Sequence, residues 1–251
     1  MTMRASKVRE EIDRALGEAP LVVHRLADEC AKQSGLRDGL LVWLAGEAVS
    51  TAPRLHGDEA CLGRAAAAME LLAWFIRLHG EVPPASGIGP LEQLLAGDFF
   101  YAKSLSLAAE LPREVTLLYT ELACSLTKER LRLRERSRGP SRSMREELEQ
   151  AFAKSGRWMA TSCRIGALLG RGGAPVEEAL TSYGFALGMA WHLDRTPTPR
   201  REDIRPLIAS YRKRASSHLS ALPESEAKLL LLQAPDGLPC LTEKRRAMLN
   251  V

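Results

Sequence analysis

Two short segments place titratable groups where an apolar helix pattern ends. One reads R-L-H-G-E-V-P-P at 77–84 and the other W-H-L-D-R-T at 191–196. Clustered carboxylates are what a protein uses to hold hard divalent cations, which need oxygen ligands. Each segment carries a single carboxylate, Glu81 and Asp194, and neither holds an acidic cluster. Other chemistries find less. There is no G-x-x-x-x-G-K-[ST] and no H-E-x-x-H. G-R-G-G at 170–173 follows no strand pattern and reads as a helix–helix turn. Five His and no Ser-centred elbow leave a hydrolase triad unsupported. The cysteines (30, 61, 124, 163 and 240) form no C-x-x-C, which argues against a zinc cluster or a disulfide framework. They read as free thiols of a reducing compartment. From Lys128 to Arg145 the chain carries eight Lys/Arg. That run reads either as a solvated helix end entering a basic loop at about 134–145 or as a phosphate-binding loop.

The elements that would position these groups are helical. Val8, Ile12, Ala15 and Leu16 form one stripe in 4–16, and Val22, Leu26 and Ala27 repeat it in 21–33. Segment 38–50 is apolar on most sides. Segment 59–79 is rich in Ala and Leu and is stopped by Pro83 and Pro84. Further helices are predicted over 90–110, 113–135, 144–170, 175–194, 202–220 and 223–233, with Pro90 suited to a first turn and Gly or Pro at the breaks. Met69 and Met159 read as core filler. No strand alternation and no fixed repeat occur, so the chain reads as all-α, a single domain over 1–251 with about ten helices.

Composition agrees. Of 251 residues, 45% are hydrophobic and 26% charged, which excludes a disordered chain. A net charge of +4 with 5% aromatic residues gives no reason to expect a nucleic-acid partner. The charged N-terminus has no apolar signal region, and no apolar run reaches the ~18 residues of a spanning helix. A cytoplasmic protein without an integral membrane segment is expected.

Six segments, in order, resemble the trans-isoprenyl (polyprenyl) diphosphate synthase family. They are LLVWLAGEAV at 40–49, AAAAMELLAWFIRLHGEV at 65–82, LLAGDFF at 94–100, KSGRWMATSCRIGALLG at 154–170, YGFALGMAWHLDR at 183–195 and YRKRASSHLSALPESEAKLLL at 211–231. Their order and spacing carry the likeness, from about Leu26 to Leu231. The resemblance implies an isoprenoid-synthase-like helical bundle. It also implies a prenyltransferase reaction in which D-D-x-x-D motifs on facing helices hold Mg²⁺ against a diphosphate, with Lys and Arg holding a second one.

The sequence departs from that pattern where the chemistry sits. The first motif's aspartates are Gly80 and Glu81, and its last position is Pro84. In the second, His192 stands for the usual Gln, and Arg195 and Thr196 occupy the paired aspartate positions. Asp194 comes one residue early, which turns it about 100° away on a helix. The basic motif is reduced to Arg37 within S-G-L-R-D-G. Lys154 reads as a diphosphate contact or as a surface lysine near a helix start. His79 reads as a packed histidine, and Asp98, beside a turn-forming Gly97, as a capping or packing residue. Trp74 and Phe75 read as a plug of the prenyl tunnel or as ordinary packing aromatics, with Phe99 and Phe100 adding bulk.

The resemblance then implies a non-catalytic homologue, the partner or regulatory subunit of a heteromeric prenyl diphosphate synthase. No cofactor is expected in this chain, with Mg²⁺ confined to a catalytic partner. Helices 90–110 and 113–135, through Phe99, Phe100, Leu117 and Leu118, would join it to that partner or to a second copy. The alternatives are an active prenyltransferase or terpene-synthase-like enzyme with a rebuilt site, and an isoprenoid- or lipid-binding helical protein.

Overall fold

A computed structural model describes residues 3–49, 56–80, 87–136, 143–196 and 201–236. The helices are α1 (Met3–Leu16), α2 (Leu21–Ser34), α3 (Arg37–Glu47), α4 (His56–Leu78), α5 (Pro90–Ala109), α6 (Arg113–Arg136), α7 (Met144–Ala151), α8 (Arg157–Leu169), α9 (Gly173–Arg195), α10 (Arg201–His218) and α11 (Glu226–Gln233). No strand occurs among the described residues. α7 and α8 are continuous through a π-helical turn, Phe152–Gly156, so they form one long helix with an extra residue in one turn. The helix predicted over 144–170 is therefore corrected in its middle. Lys154 sits in that wide turn and not near a helix start.

Local chemistry sets the ends. Ser143 and Glu146 form a reciprocal cap on α7: the Ser143 hydroxyl accepts from the Glu146 amide, and the Glu146 carboxylate accepts from the Ser143 amide at 2.7 Å. Pro90 opens α5, and Glu92 reaches back to the Gly89 amide at 2.9 Å. Gly35 ends α2 in the left-handed region at φ 62, and Leu36 follows at φ 59. A leucine there costs about 1–3 kcal/mol. Burial of its side chain and a hydrogen bond from its amide to Ser34 Oγ offset that cost. The tight turn delivers Arg37 and Asp38 to the first turn of α3.

The core is built around α3, α4, α8 and α9, and its main apolar cluster runs from Ala5 to Ala234. α8 and α9 approach most closely: a Cβ at Gly184 would overlap the Met159 carbonyl, and one at Gly188 the Ser155 carbonyl. A smaller cluster of Ala151, Met189, Leu193, Ile204 and Ile208 seats α10 on α7 and α9. Met69 and Met159 are buried as expected.

Candidate functional site

The end of α4 is the first place where the sequence pointed to chemistry. His79 is half-buried, with Nδ1 3.1 Å from the Phe75 carbonyl and Nε2 3.1 Å from Asp98 Oδ1. Its ring lies against Phe75, which stacks on Tyr101. Gly97 lies within α5 and not at a turn. A Cβ there would come within 2.5 Å of the His79 ring, so the missing side chain is what admits the histidine. Asp98 is exposed and caps no helix; it pairs with His79. Arg130 of α6 donates from Nη1 to the Ile76 carbonyl at 3.0 Å and from Nη2 to the His79 carbonyl at 3.3 Å. A guanidinium thus closes the helix end beside Gly80. Glu81 and Pro84 lie outside the described residues.

The end of α9 is also furnished with guanidinium groups. Arg195 lies over the Trp191 ring at 3.6 Å from its centroid, and Arg37 of α3 at 4.9 Å. Asp194 pairs with Arg212 of α10 at 3.2 Å. His192 Nδ1 lies 3.3 Å from Ser155 Oγ on the π turn. Thr196 ends the helix, its amide and hydroxyl both donating to the His192 carbonyl. Arg37 pairs with Asp38, whose other oxygen accepts from Trp158 Nε1 at 2.9 Å.

Beneath these ends lies a polar centre that the sequence reading passed over. Glu70, fully buried in α4, accepts from Ser34 Oγ at 2.7 Å, from the Gly39 amide at 2.9 Å and from Trp74 Nε1 at 2.9 Å. Burial, then the neighbouring Asp38 carboxylate, pushes its carboxyl above the ordinary value. The legible signal was a lone acid inside A-A-A-A-M-E-L-L-A-W-F. Trp74 is fully buried and meets Phe100 edge-on at 5.4 Å. Phe100 is itself fully buried, so it is a core residue and cannot serve an interface; its ring is spent on Trp74. Phe99 and Leu118 are half-buried, and Leu117 is exposed. Lys154 is exposed. Near it a hollow of about 230 Å³ is lined by Glu129, Arg132, Glu149, Phe152 and Ala153.

The described residues at these two helix ends do not form a set that fits Mg²⁺. Such a cation needs several clustered oxygens. Among the described residues no three His, Cys, Asp or Glu side chains are grouped to hold one. Asp194 is bound to Arg212, and fixed positive charge already stands at both helix ends.

No protein-family model and no curated protein matches the chain. Solved structures do. A decaprenyl diphosphate synthase from Rhodobacter capsulatus superposes with a TM-score of 0.78 at 15% identity, over 96% of each chain. A polyprenyl synthase from Caulobacter crescentus, solved with calcium and isoprenyl diphosphate, gives 0.77 at 20% identity, over 93% of this chain and 94% of that one. A deletion mutant of the heterotetrameric geranyl pyrophosphate synthase of mint gives 0.73 at 18%, over 97% of this chain and 100% of that one. At these identities the likeness is one of fold, and the chain has the helical isoprenoid-synthase fold.

Proposed function

We propose that this chain is a non-catalytic subunit of isoprenoid biosynthesis, which binds and tunes a catalytic prenyl diphosphate synthase in the cytoplasm. One observation carries the reading. At the ends of α4 and α9, guanidinium groups of Arg130, Arg195 and Arg212 stand where a metal-dependent prenyltransferase needs clustered carboxylates. The fold is kept while guanidinium groups stand at these two helix ends, which supports a role in binding. Exposed leucines on α5 and α6 support a protein partner. So does the likeness to a chain of the mint synthase, which is heterotetrameric by its name. No helix of the described residues is long and apolar enough to cross a membrane. In this reading the Mg²⁺ belongs to the partner.

The test is a radiolabelled condensation of isopentenyl diphosphate with allylic diphosphates in Mg²⁺, run on the purified chain beside a thermal melt. We expect no turnover above a blank. We also expect no rise in melting temperature with Mg²⁺ and a bisphosphonate, since a ligand stabilises only the fold that binds it. Turnover by the isolated chain would overturn the reading.

A further inference from the structure

We propose that Arg130 is a strap across this end of the bundle, which closes the last turn of α4 from α6 and fixes a positive charge beside Gly80. The inference rests on the reading that no metal is held there. The final carbonyls of a helix lack intrahelical donors and carry partial negative charge. In α4 the shortage is specific. The Gly80 amide bonds back to the Arg77 carbonyl at 3.1 Å, which leaves the Ile76 carbonyl without its usual donor four residues on. Arg130 supplies that donor, and with its other nitrogen it satisfies the His79 carbonyl.

Two neighbours make room for it. The His79 ring turns to Phe75 and Asp98, so it does not compete for its own carbonyl. Gly80 has no side chain, and a Cβ there would lie 3.1 Å from the Arg77 carbonyl oxygen and 3.4 Å from Arg130 Nη2. The planar fork of arginine can meet two carbonyls at once, whereas a lysine ammonium offers a point charge on a flexible stem. The strap joins positions 54 and 51 residues apart in sequence. On either side of Arg130 along α6, Glu129 and Arg132 line the hollow together with Glu149, Phe152 and Ala153.

The test is hydrogen exchange by mass spectrometry on the full chain, comparing wild type with Arg130→Ala and Arg130→Lys, with and without millimolar Mg²⁺. Peptides covering 76–80 and 126–132 should exchange about tenfold faster or more in both variants, while 157–195 stays as in wild type. Unchanged exchange at 76–80 in Arg130→Ala would overturn the strap. So would wild-type behaviour of Arg130→Lys, or equal acceleration along α8 and α9. If Arg130→Ala does not fold, Arg130→Lys decides. Protection of 76–80 gained by the wild type on adding Mg²⁺ would overturn the metal-free reading instead, and the variants would still judge the strap without Mg²⁺.

Discussion

Glu70 sets opposing terms against each other at one atom group. Removal from water and the Asp38 carboxylate favour its protonated form, while Ser34, the Gly39 amide and Arg37 favour the charged form. Burial is the largest of these, so the carboxyl titrates above its ordinary value. The folded chain then holds this proton more tightly than the unfolded chain. The stability it contributes is complete below the unfolded value of about 4.3 and is lost as pH rises through the folded value. Glu70→Gln removes the titration but turns an amide NH₂ toward groups that all donate, a cost of about 1–3 kcal/mol. Urea unfolding should therefore find the variant weaker at pH near 4, with the gap to wild type narrowing toward pH 7.5. A gap that stays constant or widens would mean that Glu70 is charged throughout. Glu70 lies in a helix middle among apolar residues, where no motif spacing marks it. Trp74 could have led to it, because a buried indole needs an acceptor and Glu70 lies one helical turn away.

At the scale of elements, apolar periodicity located the helices to within a few residues. The 59–79 prediction became His56–Leu78, and 175–194 became Gly173–Arg195. The π turn at Phe152–Gly156 was not legible, because one extra residue in one turn leaves no mark in a hydrophobic pattern. The backbone it packs against lies far along the chain: Gly188 of α9 lets the π turn come close at Ser155, and Gly184 admits α8 at Met159. Gly184→Ala and Gly188→Ala should each destabilise by about 1–3 kcal/mol or more, since the carbonyls they would strike belong to backbone that cannot swing aside. In a chain of this size that lowers the melting temperature by roughly 2–4 °C per kcal/mol. Calorimetry showing either variant melting with the wild type would refute the close approach of α8 to α9.

Among the described residues the molecule leaves several large apolar side chains exposed, and five of them lie on α5 and α6. On α5, Leu91, Leu94 and Leu95 are 69%, 44% and 59% exposed, spaced to share one face of its first turns. On α6, Leu117 is 50% and Leu131 60% exposed. The sequence alone had offered helices 90–110 and 113–135 as the joining elements, through Phe99, Phe100, Leu117 and Leu118. The structure divides their apolar residues: Phe100, Ala108, Val115, Leu122 and Leu126 serve this chain's own core, and Leu118 packs partly against it. What remains for a partner is the leucines above, so Leu95 and Leu117 are better probes than Leu118. Exposed leucines of this number are anchors that a partner can cover, and a stable interface buries on the order of 1,200–2,000 Å² or more. The purified chain should therefore be at least a dimer by light scattering, or should form a stoichiometric complex with an intact prenyl diphosphate synthase from the same genome. Leu95→Glu with Leu117→Glu puts a charge on each helix face without touching the core. That double variant should dissociate the assembly while its helical circular dichroism stays unchanged. A wild type that is monodisperse at the monomer mass, and that gains no partner on mixing, would remove the support these leucines give to a binding role.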